Sequence, residues 1–450
     1  MALTRGPIMK GMILFALPLM VGNLLQQLYN VVDTMIVGQF LGADPLAAVG
    51  SAYTLMTFLT SILLGLCMGS GAMLSIRYGQ KNETQFHKDI NASFLIIGII
   101  AVVLTITVYA LLDHILVWMN VPGNVIGYMH DYLFWIFAGI GGIFLYNYFS
   151  CVLRAIGNSV VPLVFLAISA ILNIILDLVL VVVVPWGVAG AAIATSFSQW
   201  VSGIGLWLYQ RYKYPQLNID RSYRINGFTI KEIFNASFLT CLQQSVMNLG
   251  ILMVQGLINS FGSIVMAGYA AAVKIDSFAY MPVQDFGNAV STFIAQNYGA
   301  HHQDRITKGI RIATLIAFGF AIVVGLIVVF GSETFLTLFI PRDDVAAIQA
   351  GAAYLKVVGW FYWGIAGLFL LYGLYRAIEY PAMSLVLTII SLGTRVILAY
   401  WLADQESIGV NGIWWAVPIG WFLADIVGVV VYQLWFKHRL NQKIHGSTMV

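Results

Sequence analysis

The sequence predicts an all-α polytopic membrane protein: twelve transmembrane helices in two six-helix bundles related by a pseudo-two-fold axis along the membrane normal. Three observations carry this. The composition is apolar and poor in charge, twelve apolar runs are divided by short polar punctuation, and the two halves repeat at an offset of about 220 residues. Of 450 residues, 60% are hydrophobic and 9% charged, against about a quarter charged in a soluble domain. A mean hydropathy of +0.87 means more apolar surface than one globular core hides. At roughly 20 to 25 residues per crossing, the chain allows about a dozen crossings. A net charge of +3 with no basic tail leaves membrane lipid, and not nucleic acid, as the expected surroundings.

The first six runs lie near 11–39, 50–76, 91–112, 131–153, 162–184 and 188–210. Six more follow near 232–259, 267–297, 310–331, 351–375, 384–403 and 411–436. The most polar stretch falls between the sixth and seventh, so the expected organisation is a bundle over residues 1–210, a cytoplasmic linker over 211–231 and a second bundle over 232–450. The first run carries Asn23, Gln26, Gln27, Asn30 and Asp33 and has no small-residue cleavage site, which favours a retained helix over a signal peptide.

Orientation follows from the basic residues, because cytoplasmic loops retain Lys and Arg. Eighteen of the 22 fall on one side, including Arg5, Arg77, Arg154, Arg221, Arg305, Arg376, Lys437, Arg439 and Lys443. Both termini are therefore expected in the cytoplasm of a plasma or inner-membrane protein. The repeat appears as Arg154-Ala155-Ile156 against Arg376-Ala377-Ile378, Tyr132-Leu133 against Tyr354-Leu355 and Gly187-Val188 against Gly409-Val410, all at offset 222. An even number of helices per half gives the copies one orientation, with a central cleft between them.

Charges within the hydrocarbon cost about 2.5 to 3.5 kcal/mol each and persist mainly where paired, wet or functional. Asp33, Asp177, Asp276, Asp285 and Asp425 all fall inside predicted helices. Counting from the outer helix ends places Asp33, Asp177 and Thr195 at one level, and Asn173 shares a helix face with Asp177 one turn away. Two carboxylates close together at low dielectric call for a proton or a monovalent cation. In the second half Asn173 corresponds to Arg395 and Asp177 to Ala399, and Lys274, Asp276 and Arg395 sit at similar depth. A mostly self-neutralised polar cluster is expected there. Spacing gives Asp285 and Asp425 no partner.

Pro18, fifteen residues before Asp33, removes a backbone hydrogen bond and supplies a hinge. Gln26 and Gln27 match Gln243 and Gln244; they either line the cleft or join helices by hydrogen bonds. The aromatic fraction, 14%, exceeds the need of two interfacial belts, and Trp360-Phe361-Tyr362-Trp363 lies deep in a helix. Some of these rings are expected to face a cavity suited to flat or cationic ligands. Cys67, Cys151 and Cys241 fall in apolar stretches as packing residues. The sequence contains no phosphate-binding loop, H-E-x-x-H or Cys/His cluster, so neither an enzyme, a cofactor nor a metal beyond Na+ is expected.

The order Pro18 to Asp33, Val37-Gly38-Gln39-Phe40-Leu41-Gly42, Leu153-Arg154-Ala155-Ile156-Gly157-Asn158, Asn173-x-x-x-Asp177, Gly190 to Thr195 and Ser291 to Asn297 resembles the multidrug and toxic compound extrusion (MATE) family over the whole chain. The resemblance implies a monomeric exporter of small-molecule drugs, often organic cations, driven by inward H+ or Na+. It implies a cation site of Asp33, Asn173, Asp177 and Thr195, with Tyr29, Tyr132 and Asn147 near the first-bundle cavity. The tenth helix lacks the acid that one branch of the family uses, which weakens coupling through the second bundle. The competing reading is a lipid-linked oligosaccharide flippase of the same superfamily, which needs a basic cavity from Lys274, Lys356 and Arg395. An intramembrane prenyl transferase would need paired acidic motifs for Mg2+ at a membrane interface, and none falls at a shared depth there.

Overall fold

The computed structural model describes residues 3–119, 121, 123–220, 222–405 and 408–436. Arg221, Lys437, Arg439 and Lys443, and the end of the expected second bundle, lie outside the described residues. Among the described residues all regular structure is helical, as the apolar runs require: a bilayer offers no hydrogen bonds to backbone groups, and a helix satisfies its own.

The first half contains α1 (Ile8–Leu41), α2 (Ala43–Gln80), α3 (Glu83–Ala110), α4 (Leu112–Trp118), α5 (Ile126–Phe137), α6 (Ile140–Ala155), α7 (Val160–Asp177) and α8 (Gly187–Lys213). The second contains α9 (Gly227–Asn259), α10 (Ser263–Gly299), α11 (Gln303–Leu336), α12 (Val345–Trp360), α13 (Tyr362–Ala377), α14 (Pro381–Ala403) and α15 (Val410–Val431). Among the described residues eight helices are long and apolar enough to cross a membrane, and up to ten spans result if each bent pair is one crossing. The long helices α8 and α9 fall outside that set.

Two expected straight spans are broken. The 131–153 run divides into α5 and α6 with a 42° bend, and the 351–375 run into α12 and α13 with a 57° bend. The breaks follow Phe137 and Trp360, so they recur at nearly the repeat offset. A third irregularity is a π-helix: α7 ends at Asp177 and continues as Leu178–Val183, with Val184 N donating to Val179 O at 2.8 Å, and α15 likewise passes into a π-helix at Tyr432–Phe436. Wide turns of this kind re-aim neighbouring side chains and gather at functional sites.

The chain forms two compact units. One spans Val21–Cys241; the other takes Leu242 onward together with the residues up to Met20. This division differs from the sequence halves at both edges. The start of α1 packs with the second unit and the start of α9 with the first, and the crossover in α1 falls two residues after Pro18. The N-terminal segment is held in the second unit by Arg305, which donates to Gly6 O at 3.0 Å and Leu3 O at 3.2 Å, and by Gln296, which accepts from Leu3 N at 3.0 Å. The linker is held in the first unit by Asn91, whose Nδ2 donates to Asp220 O at 2.7 Å and Tyr223 O at 3.1 Å. Within that linker Ser222 N donates to the Asp220 carboxylate at 2.9 Å, which lowers its pKa from the usual value.

Small residues bring the helices together, because lipid provides no hydrophobic drive between them. On α2, a Cβ at Gly69 would run into Ala236 O and one at Gly65 would stand 2.6 Å from Cys241 Cα, both on α9. Gly142 of α6 and Gly203 of α8 meet the same way. A Gly69→Ala substitution is expected to force α2 and α9 apart at a cost of about 1–3 kcal/mol. Gly50→Ala, with nothing within 4 Å, should match or exceed wild type; denaturant unfolding in detergent compares the two.

Candidate functional site

Asp33 on α1 and Asn173 and Asp177 on α7 are buried in the first unit, although the surrounding helix surfaces are apolar. The carboxyls of Asp33 and Asp177 lie within hydrogen-bonding reach of each other. Asn173 Nδ2 donates to Thr195 Oγ1 of α8 at 3.2 Å, which turns the amide oxygen away from Thr195. The structure thus brings together all four residues that sequence depth placed at one level.

Their electrostatics are unusual. Asp33 Oδ1, both Asp177 oxygens and Asn173 Oδ1 are buried and have no hydrogen-bond donor. Among the described residues no Lys, Arg or His forms an ion pair with either acid within 4.0 Å. Four acceptor oxygens without a donor, three of them on two ionisable carboxyls in reach of each other, fit a proton or a small monovalent cation. Each unmet oxygen otherwise costs the desolvation of a buried polar group.

The aromatic surroundings are partly as expected. Tyr132 is buried within electrostatic reach of both Asp33 and Asp177, and Tyr29 within reach of Asp33. The Tyr29 hydroxyl also meets the half-buried Gln26 and accepts from Gln199 Nε2 at 3.4 Å; sequence reasoning missed Gln199. Asn147 donates to Ile143 O of its own helix at 2.9 Å. Gln243 is buried in the second unit.

The expected cluster of Lys274, Asp276 and Arg395 is only partly assembled. Asp276 of α10 is buried and accepts from Tyr354 Oη of α12 at 2.8 Å and Tyr362 Oη of α13 at 2.7 Å. Arg395 of α14 lies within electrostatic reach of Tyr269 and Asp276 of α10, while its Nε is buried without a partner. Lys274 is exposed, its Nζ 5.7 Å from the Phe339 ring centre. Two residues turn a helix by roughly 200°, so Lys274 and Asp276 point to opposite sides of α10. Tyr354 was legible as the repeat mate of Tyr132; Tyr269 and Tyr362 carried no such signal.

The aromatic run also splits. Trp360 is 52% and Trp363 37% exposed, whereas Tyr362 is buried on Asp276. Asp285 is buried, and the Asp425 carboxyl fills the space that a side chain at Gly367 would take, its Oδ1 without a partner.

The MatE family model matches residues 18–179 and 236–401. The chain is 29% identical over 414 residues to "Probable multidrug resistance protein YpnP" of Bacillus subtilis, covering 91% of this chain and 92% of that protein. It is 24% identical over 448 residues to "Multidrug export protein MepA" of Staphylococcus saprophyticus, covering 97% and 96%. Its fold matches a crystal structure of MATE in the bent conformation with a TM-score of 0.90, at 23% identity over 100% of this chain and 98% of that one.

The tyrosine donors in the second unit give a direct test. Tyr354→Phe leaves one Asp276 oxygen unmet and is expected to cost about 1–3 kcal/mol in denaturant unfolding. Combining it with Asp276→Asn should cost less than the sum of the two single changes, because the second removes the unmet charge.

Proposed function

The chain belongs to the MatE family, and we propose that it is a secondary active multidrug efflux antiporter. It exports amphipathic, often cationic compounds in exchange for H+ or Na+ by alternating access. It sits as a monomer in the plasma or inner membrane, crosses it twelve times and keeps both termini in the cytoplasm. The observation that carries this reading is the donor-free set of buried oxygens on Asp33, Asp177 and Asn173, supported by the names of the relatives.

In this mechanism the outward-open protein takes up a proton or Na+ between Asp33 and Asp177. Cation binding removes the repulsion between the two carboxylates and draws α1 toward α7. Because α1 changes unit just after Pro18, where a backbone hydrogen bond is missing, a bend there moves its Asp33-bearing part without unseating its start. The change reshapes the surroundings of Tyr29 and Tyr132 and expels the drug to the outside. Export requires that cation and drug differ in affinity between the two states.

The flippase reading gains no support. Of the three basic residues it needs, Lys274 lies over Phe339, and Lys356 is exposed and paired with Glu333 at 2.7 Å.

The test is export of a fluorescent cationic dye from proteoliposomes under a pH gradient and, separately, a Na+ gradient. One gradient should drive export, and Asp33→Asn or Asp177→Asn should reduce it at least about tenfold, a loss of about 1.4 kcal/mol or more in coupling. Gradient-driven export that survives in the double variant at normal expression would sink the proposal.

A further inference from the structure

The otherwise apolar α7 carries three polar residues, Ser169, Asn173 and Asp177, each one turn after the last. The stripe they form faces α8, because Ser169 Oγ donates to Ser198 O at 2.9 Å and Asn173 Nδ2 to Thr195 Oγ1 at 3.2 Å. Gln199 stands one turn along α8 from Thr195, on the same face. Its Nε2 donates to the buried Tyr29 Oη of α1 at 3.4 Å. Asp177 stands one turn beyond Asn173, and Asp33 one turn beyond Tyr29. One face of α8 therefore grips each acid-bearing helix a turn before its acid, and so turns both acids to the same place.

The gripping segment of α8 is itself fixed. Ser196 Oγ donates to Trp135 O of α5 at 2.8 Å, and Trp200 Nε1 donates at 2.8 Å to Ala138 O, in the break between α5 and α6. A Cβ at Gly142 of α6 would stand 2.7 Å from the Gln199 carbonyl carbon, so the two backbones touch there. Helices α5 to α8 thus form one frame, and Gln199 joins α1 to it.

We propose that Gln199 is a positioning residue for the cation site. Through the Tyr29 hydroxyl it sets the rotation of α1 at which Asp33 is buried against the polar face of α7 and α8, and with it the affinity of the site for its cation. Tyr29 and Asp33 lie on one continuous helix, so a rotation of α1 that breaks the bond carries the Asp33 carboxyl with it. A site keeps its affinity only while supporting hydrogen bonds hold its groups in place. The inference rests on the reading of Asp33 and Asp177 as the cation site; Gln199 acts through Tyr29 and not on the cation itself.

The test measures cation affinity of the purified full chain in detergent, with radiolabelled Na+ at alkaline pH and with proton uptake by potentiometric titration. Gln199→Met keeps the side-chain length and removes the donor; Tyr29→Phe removes the acceptor. Each is expected to weaken cation binding about tenfold without changing the number of cations bound. The double variant should bind as weakly as either single one, because all three lack the same bond. If Gln199→Met does not fold, Tyr29→Phe carries the same expectation and decides the matter. Unchanged affinity in the folded variants, or single losses that add in the double, overturns the proposal. Unchanged cation affinity with weakened binding of a fluorescent cationic dye also overturns it and makes Gln199 a cargo contact. A wild type that binds neither cation fails the site reading and this proposal with it. A chain that binds a cation, loses affinity in Gln199→Met and yet never exchanges the cation under a gradient fails the antiport reading and leaves this one standing.

Discussion

A carboxylate held in hydrocarbon must find its hydrogen bonds and its counter-charge inside the protein, because the bilayer supplies neither. Most of the site architecture in this chain answers that constraint. In the second unit Asp276 is met by two tyrosine hydroxyls and lies within reach of Arg395. In the first unit the same demand is left open at Asp33 and Asp177. An unmet demand of this kind costs stability.

The backbone around the first-unit pair is irregular where regular helix would be cheapest. The α7 helix passes into a π-helix at the residue after Asp177, and the span carrying Tyr132 is broken two residues before α6 begins. Proline lies in α1 just before that helix changes unit. The close glycine crossings of α2 with α9 and of α6 with α8 provide the rigid background against which such irregular segments are placed. Rigid helix contacts and locally broken hydrogen-bond ladders together suit an element with two discrete arrangements.

The fold was legible because its signals are local. Apolar runs, their lengths and their polar punctuation follow the bilayer's thickness, and the helices fall on the expected runs. Helix breaks were not legible: Phe137 to Ile140 and Trp360 to Tyr362 contain no proline to mark them. The acids and polar residues that the structure gathers around Asp33 and Asp177 were placed together by depth along each helix, which is a count. The second-unit cluster was half legible. Asp276 and Arg395 were named together, but Tyr354 and Tyr362 were noted only for other reasons and Tyr269 not at all, and Lys274 lies on another side of α10 because depth says nothing about the direction a side chain takes around the helix.

By itself the sequence determined the all-helical membrane class, the internal repeat, the acids buried in apolar helices and the substitution of Arg395 at the mate of Asn173. The cost of placing a charge in hydrocarbon is set residue by residue along the chain, so these features are written in one dimension. Only the tertiary structure decided which acids meet a donor and which do not, that α1 and α9 change unit along their length, and that Lys274 turns away from Asp276. Those outcomes depend on how each helix is rotated against its neighbours, and that rotation is fixed by the packing of whole helix faces.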